Sequence, residues 1–261
     1  MKADEVLFER DGRVATITLN RPADQNRLTR DVLLRIQSMV DGLGEDGEVQ
    51  AVVVTGSGRD YFSMGILNPA VRATYTKDQI LELVRIANRL YDAIEALPHI
   101  VIAALNGAAR AGAAVSAPAG ALRLAAAPAP VALPAALWGG FPGAGGPVRL
   151  PVIVGRARAL EVICTGREVD AAEMERIGLV LAVRPADQLL PEALALARRI
   201  GQSGPLATRG AKRIINVRNL AGPAAGRALA DALRHALEWS RDVDEGMAAH
   251  REGRPPRFIG R

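Results

Sequence analysis

The chain is poor in several residue types whose scarcity narrows what it can be. Among its 261 residues there is one cysteine, Cys164. That excludes an intrachain disulfide framework and any Cys-x-x-Cys zinc or redox motif, and predicts a reduced, intracellular setting. Aromatic residues make up 3% of the sequence, too few for a base-stacking surface. The excess of 33 basic over 28 acidic residues therefore points to an anionic small molecule rather than to nucleic acid. No stretch approaches the ~20 consecutive apolar residues of a membrane-spanning helix, and the first twenty residues hold early charges and no apolar signal core, so a cytoplasmic protein with no membrane partner is expected. What is abundant is ordinary for a globular protein: 49% hydrophobic and 23% charged residues, enough to bury a full core.

Hydrophobic spacing predicts the element order. Val6 to Arg10 and Val14 to Leu19 alternate around Asp11-Gly12, a turn pair suited to positive φ, and form a β-hairpin. Thr29 to Leu43 has an apolar stripe at helical spacing (Val32, Leu33, Ile36, Met39, Val40, Leu43), with Thr29 as N-cap. Ala51 to Thr55 and Ile100 to Leu105 are β-branched or apolar runs of the kind buried in a parallel sheet. Between them lie a loop, Asp60 to Pro69, and an amphipathic helix, Lys77 to Leu97. Hairpin, helix, strand, loop, helix, strand signals an α/β fold of repeated β-β-α units.

From Ala108 to Val148 the only charged residues are Arg110 and Arg123. Small residues dominate, which suits an interior where backbones approach closely. Short helices follow over Ala157 to Thr165 and Ala171 to Ile177, then a strand over Leu179 to Val183 and a helix over Leu189 to Ile200. Three more helices, Pro205 to Asn216, Ala224 to Ser240 and Asp242 to Glu252, have no partner strands. Two regions are expected: 1–200 as the core and 201–261 as a helical region that packs on the core or on another subunit. His99, beside Pro98, is expected at a surface turn, Cys164 on a buried helix face, and Trp138 in a pocket wall.

Six phrases in order along the chain resemble the crotonase superfamily, the enoyl-CoA hydratase/isomerase family. They are VATITLNRPADQNRL (14–28), AVVVTGSGRDYFSMG (51–65), IVIAALNGAARAG (100–112), GGFPGAGGPVRLP (139–151), GRARALEVICTGREVDAAEMERIGLV (155–180) and EGMAAHREGRPPRF (245–258). The resemblance implies a crotonase-like spiral of β-β-α turns and a C-terminal helical region that forms homotrimers, often paired into hexamers. It implies an acyl-CoA thioester as ligand, with coenzyme A part of the substrate and no tightly bound cofactor or metal. Ala23, Asp24, Gln25 and the run Phe62, Met64, Gly65, Ile66, Leu67 correspond to the adenine and pantetheine path. The family's oxyanion hole, two backbone N–H groups aimed at the thioester oxygen, maps onto Met64 and Gly112.

Two glutamates that hydratases of the family use as general acid and base do not appear. A gapless alignment from Asn106-Gly107 to Pro142-Gly143 puts Val115 and Ala135 at those positions, and neither can move a proton. Residues 111–148 contain no acidic residue and no histidine. A replacement proton carrier would have to come from elsewhere, with Asp60, Tyr61, Ser63, Asn68, Tyr75, Asp78, Glu82, Arg110 and Ser116 as candidates. Three expectations compete: a divergent acyl-CoA enzyme, a non-catalytic acyl-CoA-binding or scaffold relative, and an ordinary hydratase or isomerase. The last rests on family likeness alone.

Overall fold

A computed structural model describes residues 4–113, 121–140 and 142–261. The opening hairpin pairs β1 (Val6–Asp11) with β2 (Val14–Leu19), antiparallel, from Val6 opposite Leu19 to Asp11 opposite Val14. Gly12 takes φ +56° at the turn, a left-handed conformation that glycine adopts without steric cost. Strands β3 (Ala51–Gly56), β5 (Ile100–Leu105), β7 (Leu122–Ala126) and β10 (Ala182–Arg184) extend this sheet in parallel, in the order β1-β2-β3-β5-β7-β10. A second sheet has the order β4-β6-β8-β9, built from Tyr61–Ser63, Ala108–Arg110, Val131–Ala132 and Glu168–Val169. Three successive strand pairs, β3/β4, β5/β6 and β7/β8, place one strand in each sheet, so the chain advances as the expected spiral.

Helices close both faces of the large sheet. On one side lie α1 (Arg30–Glu45) and α3 (Lys77–Ala96), which bury Leu33, Ile36, Val40 and Leu83, Ile86, Leu90. Thr29 caps α1 by accepting from the Val32 N–H, and Thr76 with Gln79 forms a reciprocal capping box on α3. On the other side α7 (Ala186–Gly201) packs Leu189, Ala193 and Ala197 against Val53, Ile102 and Leu124. Burial on both faces explains why β3 and β5 read as continuous apolar runs rather than alternating ones. Short helices α2 (Pro69–Arg72), α4 (Gly146–Val154), α5 (Arg156–Thr165) and α6 (Ala171–Arg176) connect the spiral, and α8 (Pro205–Ala221), α9 (Pro223–Glu238) and α10 (Arg241–Glu252) follow it.

Several expectations are corrected. Tyr61–Ser63 is a strand inside the segment expected as a loop, and β6, β7 and β8 lie in the small-residue stretch where no strand is predicted. The last strand is shifted to Ala182–Arg184. His99 is buried, at 1% exposure, because α8 covers it, whereas Cys164 is exposed on α5. Among the described residues no helix is long and apolar enough to cross a membrane, and no group of three or more His, Cys, Asp or Glu is placed to hold a metal.

Candidate functional site

Two asparagines fix the loops from which the site is built. Asn26 is buried, and its side chain accepts from the Arg21 N–H at 2.9 Å and donates to the Ser57 and Tyr61 carbonyls, both at 2.9 Å. Asn106 accepts from the Gly56 N–H at 2.9 Å and donates to the Gly58 carbonyl at 3.0 Å. The two side chains tie the ends of β3 and β5 to the start of β4. Glycine is required at 56, where a Cβ would come within 2.7 Å of the Phe62 carbonyl oxygen.

Beyond β4 the chain is laid against residues 25–28. The Met64 N–H donates to the Gln25 carbonyl at 2.9 Å, the Ser63 hydroxyl to the Asn26 carbonyl at 2.6 Å, and the Leu28 N–H to the Gly65 carbonyl at 2.9 Å. Gly65, at φ +85°, then brings the backbone onto the segment after β6: a Cβ there would stand 2.4 Å from the Arg110 carbonyl oxygen and 2.8 Å from the Gly112 nitrogen. The Ile66 side chain covers Gly112, whose own Cβ would meet Ile66 Cδ1 at 2.8 Å. Ile66 and Gly112 are thus side by side, and neither N–H has an acceptor among the described residues.

Backbone strain concentrates here. The described non-glycine residues with positive φ are Gln25, Asn26, Ala111 and Ala144. The first three belong to the segments just described, and such conformations persist where the surroundings enforce them, as at functional sites. Ala144 lies in the glycine-rich turn before α4. Its carbonyl accepts from Arg149 Nη1 at 3.1 Å, while the same buried guanidinium reaches Glu95 on α3 at 2.9 Å and also pairs with Asp92. Gly143 in this turn faces Val84 of α3.

The expected site residues are distributed unevenly. Met64 does not offer an open donor, because its N–H is committed to Gln25; that role is corrected. Gly112 retains an open N–H. Phe62, expected on the adenine and pantetheine path, instead points into the core, among Leu28 and Leu90 under α1 and α3. Ala23 and Gln25 are exposed, Met64 and Leu67 half-buried, Gly65 and Ile66 buried, and Asp24 is paired with Arg21 and Arg27. Ala135 is half-buried in a 3-10 turn, Pro134–Trp138, in which Trp138 is 46% exposed. Val115 and Ser116 lie outside the described residues.

Some of the candidate proton carriers are engaged elsewhere. Asn68 caps α2 by accepting from the Val71 N–H at 2.8 Å, Arg110 pairs with Glu168, and Asp78 and Glu82 are exposed on α3. The roles of Asn26, Asn106 and Ser63 as loop anchors were not anticipated. Asn106, directly after the end of β5, was the available signal, since asparagine bonds neighbouring peptides; Asn26, seven residues beyond β2, had none of that kind.

Residues 9–261 match the family model described as enoyl-CoA hydratase/isomerase. The Bacillus subtilis protein YngF, named for the same family, is 37% identical over 98% of this chain and 99% of its own length. A crotonyl-CoA hydratase of Syntrophomonas wolfei is 32% identical over the full length of both. The crystal structure of an enoyl-CoA hydratase from Bacillus anthracis superposes with a TM-score of 0.96 at 31% identity, covering 99% of this chain and 100% of that one.

Proposed function

The chain belongs to the enoyl-CoA hydratase/isomerase family, and from that premise we propose that it binds an acyl-CoA thioester with the carbonyl oxygen between the Ile66 and Gly112 N–H groups. The observation that carries this is the pair of adjacent backbone donors without acceptors, Ile66 following the left-handed Gly65 and Gly112 following the strained Ala111. Ile66 takes the place first given to Met64. Backbone donors survive side-chain substitution, and each is typically worth about 2.7 to 4 kcal/mol to a developing oxyanion.

Ordinary hydration also needs a group to deliver and remove protons, and the gapless alignment puts Val115 and Ala135 at the positions of the two usual glutamates. A positioned acid or base contributes about 10²- to 10⁴-fold, so hydration of crotonyl-CoA is expected only as a trace. Reactions that generate an enolate without a protein base remain open to such a site. In decarboxylation of a malonyl-type thioester the C–C bond breaks, carbon dioxide leaves, the electron pair becomes the enolate held by the two N–H groups, and water supplies the proton. The second reading, an acyl-CoA-binding protein without turnover, is favoured by the engagement elsewhere of Asn68 and Arg110. Residues 201–261 are assigned to self-association as a homotrimer or a dimer of trimers.

The deciding experiment measures binding and turnover across crotonyl-CoA and malonyl-type thioesters. Tight binding with trace hydration is expected, and failure to bind any thioester overturns the proposal. Val115→Glu with Ala135→Glu is expected to raise hydration by at least the ~10² of one positioned group. No gain would contradict the alignment that places the missing glutamates there.

A further inference from the structure

Ser63 is fully buried, and its hydroxyl makes two hydrogen bonds whose directions are fixed by chemistry. Its proton is donated to the Asn26 carbonyl at 2.6 Å, and its oxygen accepts from the Gly65 N–H at 3.0 Å. Gly65 is the one residue in this loop with no side chain to restrain it, at φ +85°. The peptide on its N-terminal side is held by Ser63 through that N–H. The peptide on its C-terminal side is held by Leu28, which donates to the Gly65 carbonyl at 2.9 Å.

The second peptide is the important one. A trans peptide is planar, with C=O and N–H pointing in opposite directions. Anchoring the Gly65 carbonyl on Leu28 therefore aims the Ile66 N–H away from residues 25–28, on the side where Gly112 lies. This aim depends on the Gly65 dihedrals, which are constrained only while both flanking peptides are held. The acceptor for Ser63 is itself rigid, because Asn26 sits in left-handed backbone with its side chain bonded on both sides.

We propose that Ser63 is a positioning residue: its hydroxyl couples the Asn26 turn to Gly65 and sets the direction of the Ile66 N–H. This rests on the proposal that Ile66 N–H binds the thioester oxygen. With alanine at 63, the Asn26 carbonyl and the Gly65 N–H lose their shared partner inside the protein, and the peptide between Met64 and Gly65 becomes free to turn.

The test is the carbonyl carbon shift of a [1-13C]acyl-CoA thioester bound to the full chain. A polarising pair of donors moves it downfield of the free ligand, an effect that stability alone does not produce. Ser63→Ala is expected to lose at least half of that displacement while its affinity for the CoA portion stays within about threefold, a change of less than ~0.7 kcal/mol. A full wild-type displacement in Ser63→Ala overturns the inference and leaves the oxyanion site intact. No displacement in the wild type overturns the oxyanion site itself, and this inference with it. Should Ser63→Ala not fold, Ser63→Cys decides: it fills the space with a weaker donor, and only a reduced displacement agrees with the proposal.

Discussion

His99 shows how much a single side chain depends on parts of the chain far away. Its Nε2 lies 3.1 Å from the Asp46 carbonyl, so the Nε2–H tautomer donates there, and Nδ1 has no partner among the described residues. Lys212 on α8 donates to the Leu97 carbonyl at 2.6 Å and the His99 carbonyl at 2.9 Å, and Arg209 reaches the Gly47 carbonyl at 2.9 Å. Burial lowers the His99 pKa below its ordinary value; the nearby charges of Arg209 and Lys212 add to this, and the Asp46 carbonyl and carboxylate oppose it. Burial likewise brings Lys212 down to about 8, against a smaller opposing effect of Glu95. Both groups hold protons more weakly folded than unfolded, so both make stability rise with pH. Stability should fall as pH drops through about 6.5, and should climb again from about 8 toward the ordinary lysine range. Urea unfolding followed across pH checks this: His99→Gln should flatten the acid limb and Lys212→Met the alkaline one, and unchanged slopes would refute the assignment. Nothing near His99 in sequence announced this, since Lys212 is 113 residues away. The site had the same opacity. Motifs pointed to this loop, yet which amide stays open, Met64 or Ile66, is decided by the Gln25 carbonyl and the Leu28 N–H, and residue type does not specify that.

Elements were legible where side chains write a period. Helices α1 and α3 and strands β2, β3 and β5 carry apolar spacing matched to what they bury. Strands β6, β7 and β8 were missed because Ala-Ala-Arg, Leu-Arg-Leu-Ala-Ala and Val-Ala hold too few β-branched or aromatic residues to signal a strand. They exist because backbone pairing in a spiral demands them. The glycine-rich turn depends on one buried arginine in a comparable way. Of the Arg149 contacts, Asp92 and Glu95 are 72% and 42% exposed, and such pairs contribute little. The bond to the Ala144 carbonyl and the buried guanidinium matter more. Arg149→Met should cost about 1 to 3 kcal/mol in unfolding free energy. Gly145→Ala should also destabilise, because it combines left-handed backbone with a Cβ 2.0 Å from Arg149 Nη1. A Gly145→Ala protein as stable as wild type would show that the turn can move away from Arg149.

At the scale of the molecule the C-terminal helices present a contradiction that a single chain does not resolve. They are firmly attached: Lys212 and Arg209 pin α8 to the core, Arg13 donates to the Gly201 and Phe258 carbonyls, and Asp242 accepts from the Ile259 and Gly260 N–H groups. Yet α9 buries only Gly226 of its 16 residues, although Leu229, Leu233 and Leu237 recur at four-residue spacing along it. Leu220 and Trp239 beside it are 80% and 82% exposed, and Ile215 and Met247 more than half exposed. Scattered exposed apolar residues need no explanation, but several of them on rigidly held helices suit the self-association proposed for residues 201–261. Anchoring at one end and exposure at the other suits an interface presented at fixed geometry, with little ordering cost on association. Sedimentation is expected to show a trimer or hexamer at micromolar concentration. Leu220→Glu with Trp239→Glu, which places charge on that surface and leaves the Lys212 anchor untouched, should shift the population to single chains. A wild-type protein that sediments as one chain, or a double variant that assembles unchanged, would rule out this face as the interface.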